Sequence, residues 1–280
     1  MPDAAQPDGS GVPSATTILT DGELVVVGRI RSASNAALVC DAVADDGTEL
    51  RCVYKPVRGE VPLWDFPDGT LAGREVASYL ISDALGWSVI PETVMRDGPA
   101  GPGMVQRWVD TVDDADGGQA RLDLVDLCPP ELQPEDFKAV LEAYTPAGDP
   151  VILVHADDPR LQRMAVLDVV LNNADRKGGH VLEGVDGGVY GIDHGICLHS
   201  ENKLRTVLWG WAGERIPGHL LADLASLADA LGAGGAVRER LTGLITDTEI
   251  AEVATRCARL VDAGVMPHPP GRRPIPWPPF

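Results

Sequence analysis

Two short polar runs carry residues whose types and spacing suit chemistry. One reads Asn-Asn-Ala-Asp-Arg-Lys-Gly-Gly-His from Asn172 to His180, and the other Gly-Ile-Asp-His-Gly from Gly191 to Gly195. His180 follows Asp175 by five residues, and Asp193 follows it by eighteen. A carboxylate in a polar loop after a helix suits proton abstraction from an attacking hydroxyl. A second carboxylate, with an imidazole, suits a divalent cation on a triphosphate. Taken singly, each run is also an ordinary turn: an Asx turn at a helix end, and a turn at a strand end. Their order, and what precedes them, raises them above turns.

What precedes them is a strand-rich region. Glu23–Ile30 and Ala36–Val43 read as β-strands, rich in Val, Leu and Ile, with Arg31–Asn35 as the turn between them. Asp45-Asp46-Gly47-Thr48 is a hairpin signal, and Glu49–Pro56 a third strand. Alternation along that strand puts Val53 and Lys55 on one face. Leu71–Leu85 keeps helical spacing of its apolar residues and ends at Gly86. Ser88–Met95 and Gly103–Val109 are the next expected strands, separated by the turn 97–103, which gives the order βββαββ. Lys55 and Glu75 then sit on a strand and on the second turn of a helix, where a carboxylate can fix an ammonium against phosphates. The bland alternative is a surface lysine on an edge strand. Ser32, Ser34 and Asn35 lie in the first turn, where hydroxyls and backbone N–H groups suit phosphate.

The remainder reads as mostly helical. Asp110–Gly118 is an acidic linker, and Pro134–Ala143 and Pro159–Asn172 are expected helices. Leu182–Ile192 reads as a hairpin around Asp186-Gly-Gly188, and His219–Leu231 and Thr246–Val261 as helices, the last opened by a Thr246/Glu249 capping box. Seven of the residues from Pro267 to Phe280 are proline, so this segment is polyproline II rather than helix. It either serves a partner domain or straps back onto its own lobe, burying Trp277.

Composition limits the classes of function. The net charge of −19 repels nucleic acid and anionic lipid headgroups. No apolar run approaches the roughly 20 residues of a membrane helix. Met1–Thr17 is polar, unlike a signal peptide, and reads as a disordered tail. The five cysteines are odd in number and lack a CxxC pair, which suits buried thiols in a reducing cytoplasm rather than a disulfide framework or a zinc site.

Together, Lys55, Glu75, Asp175-Arg176-Lys177-Gly178-Gly179-His180 and Asp193-His194-Gly195 resemble the protein-kinase-like superfamily, specifically its phosphatidylinositol 3-/4-kinase branch. In that branch the catalytic loop reads Asp-Arg-His-x-x-Asn and the metal motif Asp-Phe-Gly. The wider run from Gly73 to Pro91, with Pro276–Phe280, is similar to an actinobacterial family of kinase-like proteins.

The resemblance implies an α+β, two-lobed fold. Residues 18–109 would form an antiparallel-sheet N-lobe with one helix, 110–266 a mainly helical C-lobe, and 1–17 and 267–280 tails. It implies ATP with Mg²⁺ or Mn²⁺ as cofactors. Lys55 would meet the α- and β-phosphates, paired by Glu75, with Asp175 as base and Asp193 on the metal. His180 stands at the position of the metal-binding asparagine, and Lys177 replaces the usual histidine. Imidazole suits Mn²⁺ better than Mg²⁺. Gln106 to Trp108 fall at the expected interlobe hinge, and Val53 would line the adenine pocket.

The acceptor is a protein or a soluble small molecule. Its pocket is shaped by Arg58, Trp64 and Phe66 or by Leu204–Arg215, unless those aromatics simply pack between lobes. A nucleotide-binding pseudokinase or scaffold module, or a nucleotidyl transferase on the same fold, remains an alternative.

Overall fold

The computed structural model describes residues 13–30, 35–112, 122–271 and 273–280. The fold is α+β, with two lobes that carry separate cores. In the first lobe, β1 (Glu23–Arg29), β2 (Leu38–Val43), β3 (Glu49–Pro56), β4 (Thr93–Gly98) and β5 (Gly101–Arg107) form an antiparallel sheet ordered β1-β2-β3-β5-β4. Cys52 and Tyr54 of β3 are buried, and Val53 and Lys55 occupy the opposite face at half-burial. β4 starts later than its Val/Ile-rich sequence suggests, because Ser88 takes a left-handed φ of 53° and Val89 and Ile90 turn into the larger core.

A short helix, α1 (Ala15–Asp21), precedes the sheet and corrects the expectation of a tail up to residue 17; residues 1–12 lie outside the described residues. The Ser14 hydroxyl accepts from Thr17 N–H, and Ile18 and Leu19 pack on Cys40, Ala42 and Tyr54. Two turns of helix are too short to show periodicity, and burial against the sheet stabilises what isolated propensity does not. Between β3 and β4 runs α2 (Leu71–Ala84), capped by Thr70. The Glu60 carboxylate accepts from Leu71 and Ala72 N–H at 3.0 and 2.8 Å, satisfying donors that a helix start leaves free.

The second lobe holds more strand than its sequence suggests. The helix expected over Pro134–Ala143 is instead a strand. β6 (Val125–Cys128), β7 (Phe137–Tyr144) and β8 (Pro150–Ala156) form an antiparallel sheet ordered β6-β8-β7. Ala, Leu, Glu and Lys in β7 favour helix, but pairing with the apolar β8 across the Thr145–Asp149 turn overrides that preference.

Three other helices form as expected: α3 (Pro159–Leu171), α4 (Gly218–Ala230) and α6 (Asp247–Ala263), which opens with the complete capping box, while the short α5 (Ala236–Leu241) is not among the expected elements. The hairpin β9 (Val181–Glu183) and β10 (Val189–Gly191) follows the Asn172–His180 loop.

The proline-rich segment does strap back onto this lobe. Pro274 O accepts from Thr206 N–H and Trp209 Nε1–H, and Pro279 O accepts from Gly178 N–H at 2.8 Å. Trp277, expected to be buried, is 83 % exposed, while Pro276 is buried in its place. All five cysteines are free and buried. Among the described residues, no helix is long and apolar enough to cross a membrane.

Candidate functional site

A buried ion pair holds the two motif loops together. Asp168, on α3, and Arg176 are both fully buried, with the guanidinium donating to both carboxylate oxygens at 3.0–3.1 Å. Arg176 also donates to the carbonyls of His180 and Ile192 and to His194 Nε2. Asp168 further accepts from Asn173 Nδ2 and Thr206 Oγ1, both at 2.9 Å. A charge this deeply buried costs several kcal/mol unless its hydrogen-bonding capacity is filled. Here Asp168 has multiple donors and Arg176 multiple acceptors. Burial and the neighbouring guanidinium hold His194 well below the ordinary imidazole value, so its ring is neutral. At Gly191, an added Cβ would fall 2.9 Å from the Arg176 guanidinium, so only glycine leaves room for this crossing.

Asp193 follows β10 with a left-handed φ of 60°, which turns its carboxylate towards the sheet lobe. There Lys55 Nζ donates to Asp193 Oδ1 at 2.8 Å and to Glu75 Oε1 at 2.7 Å. Glu75 is only 3 % exposed. Burial alone would depress the Lys55 ammonium, but the two carboxylates outweigh it and hold its pKa above the ordinary value. Burial raises the Glu75 carboxyl, partly offset by Lys55. Asp193 also loses hydration, yet Lys55 brings its pKa below the usual carboxylate range.

The tautomer of His180 follows from its contacts. Its Nδ1 lies 2.9 Å from the Asp175 carbonyl, which can only accept, so Nδ1 carries the proton. Burial lowers its pKa to about 4, which makes the ring neutral near pH 7. The Nε2 lone pair is left facing Asp193 Oδ2 at 3.5 Å. Two electron-rich atoms at that distance are of the types that suit a divalent cation. Among the described residues, no group of three or more His, Cys, Asp or Glu is arranged to hold a metal.

Asp175 sits in the loop after α3, its N–H donating to Asn173 Oδ1 at 2.9 Å. Lys177 Nζ is 3.4 Å from its carboxylate. Burial raises the Asp175 pKa, with Lys177 opposing.

Lys55, Glu75, Asp193 and His180 therefore form one contiguous set, tied to Asp175 through its carbonyl. The remaining sequence-derived residues lie elsewhere or outside view. Ser32 and Ser34 lie outside the described residues, as does most of the acidic linker. Asn35 Oδ1 accepts from Val61 N–H, which ties Asn35 to the loop after β3. Val53 shares the Lys55 face and pairs with Gln106 across the sheet. The Gln106 side chain is buried and donates to Thr93 Oγ1, and the Trp108 N–H is taken by Arg51 O at 2.9 Å. Of the pocket candidates, Phe66 packs on Arg74 and His199, whereas Trp64 is 91 % exposed.

Sequence reasoning missed Asp168, Asn173 and Thr206 as supports of the site. Asp168 did leave a signal: it is an acid on an otherwise apolar stretch of α3, where an unpaired charge is not tolerated.

No family model matches the chain. Among solved structures it is similar to hydra Fam20 with sugar, at TM-score 0.47 and 12 % identity over 90 % of this chain and 89 % of that one. It is also similar to the Helicobacter pylori proinflammatory kinase CtkA, at TM-score 0.40 and 11 % identity over 86 % of this chain and 97 % of that one. Likenesses at these scores carry no weight for the chemistry of this chain. Protein Rv2133c of Mycobacterium tuberculosis is 58 % identical over 265 residues, which is 94 % of each chain. The chain belongs to the family of that mycobacterial protein.

Proposed function

We propose that this protein is an ATP-dependent phosphotransferase of the protein-kinase-like superfamily, nearest in its motifs to the phosphatidylinositol 3-/4-kinase branch. The observation that carries the reading is the Lys55 ammonium, shared between a buried glutamate on α2 and an aspartate of the other lobe that lies 138 positions after the lysine. In phosphoryl transfer there is little covalent work for a protein beyond positioning and offsetting charge. The cleft between residues 18–109 and 110–266 is the proposed nucleotide site, with Lys55 binding the inner phosphates. Val53 and the strand around Gln106 and Trp108 are the proposed adenine wall, and the turn with Ser32, Ser34 and Asn35 the proposed phosphate cover. Asp175 accepts the proton of the attacking hydroxyl, and its raised pKa makes it a stronger base than an ordinary aspartate.

Asp193 and His180 would hold the divalent ion. Such an ion offsets the charge of the transferred group, and one imidazole among its ligands favours Mn²⁺ over Mg²⁺. The acceptor is a protein or a soluble small molecule, since a charge of −19 opposes a lipid surface. A reducing cytoplasm suits the five free thiols.

Labelled ATP tests the reading directly. Transfer of label from the γ-position and not the α-position, in Mg²⁺ or Mn²⁺, is the expected result. Label from the α-position identifies a nucleotidyl transferase instead, and nucleotide binding without either label identifies a pseudokinase. Asp175→Ala lowers turnover about 10²- to 10⁴-fold with ATP still bound; unimpaired turnover in that variant removes Asp175 as the base.

A further inference from the structure

The strap from Pro274 to Pro279 closes one side of a cavity that contains Asp175. The cavity is about 670 Å³ and is lined by Ala174, Asp175, Arg205, Arg273, Trp277 and Pro279 among others. That volume is in the range of small-molecule sites. The strap is fixed at both ends, through Pro274 to Thr206 and Trp209 and through Pro279 to Gly178. Between these anchors Trp277 stands 83 % exposed beside the opening. An indole left in water next to a pocket is a platform for the C–H face of a sugar or polyol.

Two arginines line this cavity beside Asp175. The chain has 23 Lys and Arg against 42 Asp and Glu. Some of its arginines pair with acids, as in Arg74–Glu249, Arg107–Glu92, Arg160–Asp158 and Arg176–Asp168, and others bond backbone carbonyls, as Arg96 and Arg256 do. Among the described residues, Arg205 and Arg273 have no carboxylate within ion-pair distance, yet they line the same pocket as Asp175. Arg205 also acts electrostatically on Asp175, and two guanidiniums lining one pocket are a binding element for a phosphate or carboxylate.

We propose that the acceptor is a small hydroxylated anion, a sugar or polyol phosphate or a hydroxy acid. Its anionic group lies between Arg205 and Arg273, its carbon skeleton lies on Trp277, and its hydroxyl meets Asp175. This rests on the phosphotransferase reading and narrows it. In the step, the acceptor oxygen forms a bond to the γ-phosphorus of ATP. The bond from that phosphorus to the β,γ-bridging oxygen breaks, and its electron pair leaves with ADP. The hydroxyl proton passes to Asp175 and then to water.

The test uses the full chain with Mn²⁺–ATP and a panel of glycerol 3-phosphate, glucose 6-phosphate, glycerate, neutral glucose and a serine peptide. ADP release and the phosphorylated product are measured together. The expected result is that at least one anionic probe is phosphorylated in preference to glucose and the peptide. Arg205→Gln and Arg273→Gln, each checked for an unchanged melting temperature, then raise the KM for that probe at least about tenfold while the KM for ATP stays the same.

Phosphate against carboxylate probes separates the two sources of the anion. The proposal is overturned if glucose or the peptide is used equally well, if both variants leave the acceptor KM unchanged, or if nucleotide binds and no anionic probe is phosphorylated. In the first two cases the phosphotransferase reading stands; in the third, transfer of γ-label from ATP decides between that reading and a pseudokinase. Absence of nucleotide binding by calorimetry overturns both.

Discussion

His180 shows how one side chain fixes the character of the site. The Asp175 carbonyl dictates the protonated nitrogen, burial keeps the ring neutral, and the remaining lone pair faces a carboxylate. His180→Ala is therefore expected to weaken Mn²⁺ binding in the presence of nucleotide by at least about tenfold, as read by calorimetric titration. Overlapping titration curves would exclude it as a ligand. The sequence made this residue visible through spacing alone, because a histidine five positions after an aspartate in a glycine loop is a pattern. It did not show the tautomer, which depends on where the loop folds its own carbonyl. Lys55, Glu75 and Asp193 were likewise visible by type and order, but the shared ammonium is a contact between lobes that no local pattern encodes.

At the scale of elements, the Asp168–Arg176 pair links α3 to the loops on both sides of the β9–β10 hairpin. Asp168→Asn leaves the Arg176 guanidinium buried with its counter-charge gone, and a broken buried pair costs about 3–5 kcal/mol. Urea unfolding is expected to show a midpoint lowered accordingly; a midpoint within error of the parent would mean the pair is not needed for folding. The longer helices and the five-stranded sheet were legible because their apolar spacing and their end signals agree, as at Gly86 and at Thr246 with Glu249. β7 was not, because its residues favour helix and only the neighbouring β8 makes it a strand. α1 escaped for a related reason: its stability lies in Ile18 and Leu19 under the sheet.

At the scale of the whole molecule, acid sensitivity follows from His155 on β8. Its Nδ1–H donates to Ala156 O and its Nε2 accepts from Gly210 N–H at 3.0 Å, which fills both ring nitrogens in the neutral form. Burial lowers its pKa from 6.5 to about 4. Between those values the unfolded chain binds a proton that the folded chain does not, so stability rises with pH across that window. The contribution is complete above pH 6.5 and is lost as pH falls to about 4. Melting temperatures measured from pH 7 to pH 4 are expected to fall, and His155→Gln is expected to flatten that slope; an identical slope in the variant would assign the sensitivity to other groups.

The same scale holds a consequence for control. α2 carries Glu75 beside the sheet, yet its Ala77, Ile81 and Leu85 belong to the larger core of the other lobe. Arg74 donates to Cys197 O and pairs with Glu249, Asp83 pairs with Arg240, and Gly73 lies against Leu244 O. Backbone amides of α2 are accordingly expected to exchange with solvent as slowly as those of α3, and fast exchange in α2 alone would contradict this. A helix anchored in this way cannot swing out to part Glu75 from Lys55. For the phosphotransferase proposed above, the Lys55–Glu75 pair is then made by folding itself, and no separate movement of α2 is required to bring it together.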